Sequence, residues 1–207
     1  MTLLDQAHLP ALAQLAQSTR LVAIYSHTLK SAAALAEIAK TTLSLSSPPP
    51  VYHDQGGKDG DLGALLQRPD VDAVIIALPI MVQPDIIRSA LSHGKHVLSE
   101  KPMAPSVAEG LQLVSEYEKK WKDKVIWRVA ENMEAEPANR KVGELVKQGS
   151  IGEVVWWKCC AVSSMSKDSK WYKTPWRTVP EVRRSPVSCT VSHNKLIPTV
   201  PGRLSGE

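Results

Sequence analysis

No apolar run in this sequence approaches the roughly 20 residues that span a bilayer, so no membrane-crossing helix is expected. No basic stretch precedes an apolar block near Met1, so a secretory signal is not expected either. Cysteine is scarce. Cys159, Cys160 and Cys189 are odd in number and without paired spacing, which argues against a disulfide framework and for reduced thiols in a cytoplasmic setting. Adjacent cysteines on a strand would point to opposite faces, so Cys159 and Cys160 do not read as a redox pair. His8, His53, His93 and His96 fall on separate elements with no metal-ligand spacing. A metal site is not expected.

What is present is ordinary globular sequence. The chain has 207 residues, 43% of them hydrophobic, enough for one large domain or one domain and part of another. The net charge of +4 is unevenly spread. From Lys158 onward there are nine basic against three acidic residues, and before it sixteen against eighteen. The basic excess thus lies in the last quarter, without a helix to array it, which argues against nucleic-acid binding.

The stretch Val71 to Pro102 organises the rest. Ala73 to Leu78 is a short, unbroken apolar run rich in β-branched residues, the pattern of a strand buried on both faces. Pro79 stops it, Pro84 suits the first turn of a helix, and Ile86, Ile87, Ala90 and Leu91 recur at helical spacing up to a Gly94 cap. A second strand, Lys95 to Leu98, ends at Glu100-Lys101-Pro102. This is a strand–helix–strand unit of the parallel, doubly wound kind. Ligands of such sheets bind beyond the carboxyl ends of the strands, where Lys101 lies.

The flanking sequence extends the pattern. Helices are expected over His8–Gln17, Ser31–Lys40, Leu62–Gln67, Ser106–Trp121 and Ala138–Lys147. The fourth has a Ser106/Glu109 capping box and an apolar stripe of Val107, Leu111, Val114, Tyr117 and Trp121. Strands are expected at Leu21–Tyr25, Val51-Tyr52, Val125–Ala130 and Ile151–Ala161.

AVIIALP followed by HGKHVLSEKPMAPSVAE resembles the core of the Gfo/Idh/MocA family of NAD(P)-dependent sugar and polyol oxidoreductases. The Glu-Lys-Pro tripeptide after a Gly-Lys-His-Val strand is that family's signature. The resemblance runs from about His8 to about Glu181. It implies an α/β fold: an incomplete Rossmann-like parallel sheet over residues 1–130, then the start of an α+β C-terminal domain over 131–181. The first strand and its glycine turn, which would hold a pyrophosphate at a helix N-terminus, are missing from the sequence. Residues 182–207 match nothing and are expected to form a disordered tail. A chain truncated at both ends is the expectation, with little activity of its own; the alternative is a non-catalytic fragment that pairs with a partner. Full-length relatives would be homo-oligomers through the sheet of the second domain.

The resemblance also assigns roles. Lys101 would assist proton transfer at the substrate hydroxyl, with burial at the sheet mouth tuning it. Glu100 would pair with Lys101 or line the cofactor cleft. Ser26 and His27 end the strand where an adenosine ribose is read. An acidic residue there would favour NAD; none is present, and His27 stands where NADP-binding relatives carry an arginine, which tilts the expectation towards NADP. Ala77, Leu78 and Pro79 would offer backbone contacts to the cofactor. Gln83 stands where many relatives have a histidine. Asn132, Trp176 and Arg177 would face a small hydroxylated substrate. His193 is rejected as a catalytic histidine, since no glycine or aspartate accompanies it at the family's spacing.

Overall fold

The computed structural model describes residues 4–157, with the Asp5 side chain left out. A wide helical turn, Leu4–His8, leads into α1 (Leu9–Gln14), shorter than the expected His8–Gln17. Strand β1 is only Ile24–Tyr25, followed by α2 (Leu29–Thr42), whose first turn is capped by Thr28 Oγ1 accepting from the Ser31 N–H at 3.2 Å. Strand β2 (Val51–Tyr52) and helix α3 (Leu62–Gln67) match their expected limits. The central unit is β3 (Ala73–Ile76), α4 (Gln83–Ser92) and β4 (His96–Ser99), with Gly94 at φ +71° closing α4 in the left-handed region. Helix α5 (Val107–Lys120), strand β5 (Trp127–Val129) and helix α6 (Pro137–Lys147) follow.

All pairings are parallel, and they form two separate sheets: β1–β2 and β3–β4–β5. The ladder shows why they stop where they do. Ile24 and Ser26 donate to Pro50 and Tyr52 of the β2 side, at 2.9 and 3.0 Å. Backbone groups of a parallel strand alternate sides, so those of Tyr25 point away from β2. In the same way His96 donates to the Asp72 carbonyl and Glu100 to that of Ile76, which leaves Ala73 and Ile75 turned away from β4. Among the described residues, no strand bridges these two edges.

That break corrects the reading of β3 as buried on both faces. Ala73 is exposed and Val74 and Ile75 are half-buried, because β3 has a neighbour on one side only. Its apolar side chains still enter the larger core, built on Leu66, Ile76, Ile87, Leu91, Val97, Leu113 and Trp127. A second, smaller core joins Leu9, Ile24, Ala36 and Ala39.

Two further expectations change. On α5 the buried face is Gly110 and Leu113, flanked by Val114 and Tyr117, whereas Val107 and Leu111 of the expected stripe are 58% and 66% exposed. Residues 151–157 carry no strand; Val155 and Trp156 are 90% and 75% exposed, with no sheet to join among the described residues. The remainder of the expected strand, 158–161, lies outside the described residues, as do Trp176, Arg177, His193 and the tail 182–207.

Candidate functional site

The site is assembled at the carboxyl ends of β1, β3 and β4. At the end of β4, Ser99 is fully buried and its hydroxyl accepts from the Trp127 indole N–H at 3.0 Å, which fixes the strand against β5. Glu100 comes next and is held from two sides. Its Oε1 lies 2.8 Å from His8 Nε2, and its Oε2 accepts from the Lys101 backbone N–H at 3.1 Å. The His8 hydrogen bond, with help from the Lys101 N–H, holds the carboxyl below the usual carboxylate range, against the opposing effect of burial. Glu100 thus pairs with His8 and not with the Lys101 ammonium.

Gln83, in the first turn of α4, completes the clamp. It is 1% exposed, and its amide nitrogen donates to the carbonyls of Glu100 and Pro102, at 2.7 and 2.8 Å. One side chain therefore grips the backbone on both sides of Lys101. The Lys101 side chain itself is exposed and meets no hydrogen-bond partner among the described residues. The expected burial is not found: the backbone is fixed, and the ammonium is left free in front of the sheet.

At the end of β1 a second cluster forms. The register Ile24↔Val51 and Tyr25↔Tyr52 carries on past the strands and sets His27 beside Asp54. The Asp54 carboxylate accepts from the Tyr25 hydroxyl with one oxygen and meets His27 Nδ1 with the other. These two contacts, Tyr25 first, hold the Asp54 carboxyl below its ordinary range. Burial, and then the same carboxylate, pushes the Tyr25 hydroxyl up to about 12. Ser26 Oγ turns to Ser31 Oγ at 2.6 Å, at the start of α2.

The other expected residues are placed as follows. Ala77 and Leu78 are half-buried and Pro79 exposed at the end of β3, and the Pro79 carbonyl accepts from Val82 and Gln83. That carbonyl is engaged in starting α4. Asn132 opens a single tight turn, Asn132–Glu134, and its amide reaches Glu136 only at 3.5 Å. No group of His, Cys, Asp and Glu among the described residues could hold a metal ion. A cleft of about 350 Å³ between Arg20, Val22, Asp70 and Asp72 lies at the amino ends of β1 and β3, away from this chemistry.

Residues 2–126 match an oxidoreductase family with an NAD-binding Rossmann fold. The chain belongs to the Gfo/Idh/MocA family. It is 36% identical over 177 residues to a dehydrogenase of Fusarium mangiferae, covering 85% of this chain and 48% of that protein. The crystal structure of an oxidoreductase from Thermotoga maritima superposes with a TM-score of 0.70 at 29% identity, over 87% of this chain and 51% of the other. A scyllo-inositol dehydrogenase from Lactobacillus casei, solved with NAD(H) and scyllo-inositol, gives a TM-score of 0.59 at 26% identity, over 74% and 40% of the two chains. The chain spans about half the length of these Gfo/Idh/MocA relatives or less.

A dinucleotide is the group that this family implies, and the residues fit its two ends better than its middle. An adenosine end placed beside β1 would meet an oriented carboxylate and hydroxyls, and a nicotinamide end placed beside β4 would meet an exposed ammonium on a fixed backbone. The middle would fall at α1, six residues long, whose leading residue His8 makes no side-chain cap. No described glycine precedes it to let a pyrophosphate approach the backbone.

Asp54 and His8 carry no role in the sequence reading, and Gln83 enters it only as standing in place of a histidine. His8 and Glu100 are 92 positions apart and nothing in either stretch announces the pair. Asp54 is hidden in a loop, and only the β1–β2 register brings it beside Tyr25 and His27. Gln83 left a trace, a polar residue in the first turn of an apolar-faced helix, without a sign of what it would grip.

Proposed function

We propose that the protein is an oxidoreductase moving a hydride between NAD(P) and a hydroxyl-bearing carbon of a sugar, polyol or similar small molecule. The observation that carries this reading is the clamp on Glu100-Lys101-Pro102. Gln83 and His8 fix the tripeptide at the carboxyl end of β4 while the Lys101 ammonium stays unpaired. When bound, the nicotinamide supplies the hydride acceptor. Lys101 would polarise the substrate oxygen and hold its proton, Glu100 would keep the turn charged and ordered, and Asn132 would border the substrate cleft.

Among the described residues no glycine turn supplies the backbone donors that a pyrophosphate needs, so the 207-residue chain assayed by itself is expected to bind the cofactor weakly and turn over little. Weak binding still raises the melting temperature at millimolar ligand by mass action. A concentration-dependent rise with NADH or NADPH, lost in Lys101→Ala only for the reduced nicotinamide and not for AMP, is expected. No rise with either dinucleotide overturns the reading. In that event the unpaired edges at Tyr25 and at Ala73 and Ile75 favour the alternative, a non-catalytic fragment that pairs with another chain.

A further inference from the structure

We infer that Asp54 is the ribose-reading carboxylate of this site, and that it selects the dinucleotide without a 2′-phosphate. The inference rests on the cofactor reading above and narrows it. A carboxylate at the end of the strand that reads adenosine accepts from the ribose hydroxyls and repels a phosphate in their place. The residues at the end of β1 are Ser26 and His27, neither acidic. The register of β1 with β2 brings an acidic group to the same spot from the neighbouring strand.

Its surroundings suit the task. Tyr25 and His27 each engage one oxygen of Asp54, and a carboxylate has about four acceptor positions, so each oxygen keeps room for a ribose hydroxyl. The Asp54 side chain is 43% exposed, so a ligand can reach it. Two donors hold it, which orients the charge before any ligand arrives and lowers the cost of binding. The same contact changes what His27 can do. An imidazole that faces an ionised carboxylate does not present the free positive group that a 2′-phosphate needs, so the tilt towards NADP drawn from His27 alone is reversed. The other titratable groups that act on this pair are His53 and Asp61, the latter capping α3.

The experiment uses the adenosine half alone, so that the pyrophosphate does not enter. The full chain is titrated with AMP and with adenosine 2′,5′-bisphosphate, followed by backbone amide shifts of residues 25–32 and 52–56. The wild type should prefer AMP by about five- to tenfold, the scale of one charge repulsion near a protein surface. Asp54→Asn should bring the two ligands within about twofold, and Asp54→Lys should reverse the order. Both substitutions are at an exposed position, and unchanged amide spectra away from the site confirm folding. Preference for the bisphosphate in the wild type, or a ratio untouched in Asp54→Asn, overturns the inference and leaves the cofactor reading standing. No binding of either nucleotide by any of the three proteins overturns both.

Discussion

At the scale of single residues, the protein holds its reactive end with polar side chains that come from far apart in sequence. Glu100 has its carboxyl pKa held down chiefly by His8. The sign follows from linkage: a depressed carboxyl contributes stability above its ordinary value near 4.5, and loses it as pH falls through the lowered value. His8→Ala should therefore cost about 1–2 kcal/mol at pH 7. It should also move the acid-unfolding midpoint towards higher pH, as followed by circular dichroism. If the acid midpoint stays where it is while stability at pH 7 falls, His8 acts by packing and not by holding the carboxylate.

Gln83 raises a different residue-scale point. Its nitrogen is doubly used, while its oxygen is buried with no hydrogen-bond partner among the described residues. A buried acceptor left unpaired is costly, and the fold tolerates it where the grip on both sides of Lys101 is gained. The helix start could not reveal this, since Gln83 showed only as a residue standing where relatives carry a histidine, with nothing to say what it would grip.

At the scale of elements, periodicity found the helices well and their buried faces less well. On α5 Val107 and Leu111 share helical spacing with Val114 and Tyr117, yet only the latter two pack on the core, beside Gly110 and Leu113. What decides between them is the neighbour: Tyr117 stacks edge-on with Trp127 at 5.5 Å, and its hydroxyl reaches the Val125 carbonyl at 3.0 Å. A glycine in a helix looks like a weak point in sequence, yet Gly110 is buried, and a Cβ there would meet Met103 and Ala104 at an ordinary contact distance of 3.8 Å. Substitution separates the two faces. Leu113→Ala should cost about 2–5 kcal/mol, and Leu111→Ala less than about 0.5 kcal/mol, in urea unfolding. Ser106, whose hydroxyl accepts from the Glu109 N–H at 3.2 Å, should cost about 1 kcal/mol on change to Ala.

The strands were legible for another reason. Val74, Ile75 and Ile76 announce a strand whatever lies beside it, so β3 was found; its true exposure was not, because a run of apolar residues says nothing about which neighbours are present. The limits of β1 show the same gap in reverse. Leu21 and Val22 read as strand, but only Ile24 and Tyr25 find a ladder partner, because β2 offers just Val51 and Tyr52. Of the candidate site, the place of Lys101 just past β4 was legible from the strand and the Glu-Lys-Pro tripeptide, whereas the approach of Asp54 to Tyr25 and His27 was not.

At the scale of the whole molecule, two sheets and two cores share the described residues. The smaller core leans on the larger through Val22, Ala23, Tyr25 and Tyr52, which pack against the Leu66–Leu113 cluster. Hydrogen exchange should report the break directly. The amides of Tyr25, Ala73 and Ile75 face no ladder partner and should exchange fast, whereas those of Ile24, Val97 and Ala130, bonded at 2.7–2.9 Å, should be protected. Slow exchange at Ala73 and Ile75 in the isolated chain would mean that something pairs with that edge.

The Trp127 ring is 8% exposed, tied to Ser99 one residue before Glu100. Its fluorescence is thereby coupled to the backbone that carries the ammonium, while Trp156 at the other extreme is open to water. The protein carries its own optical gauge. The sequence holds six tryptophans, and iodide would quench exposed indoles such as Trp156 before Trp127, so the blue part of the emission is weighted towards the indole nearest the sheet mouth.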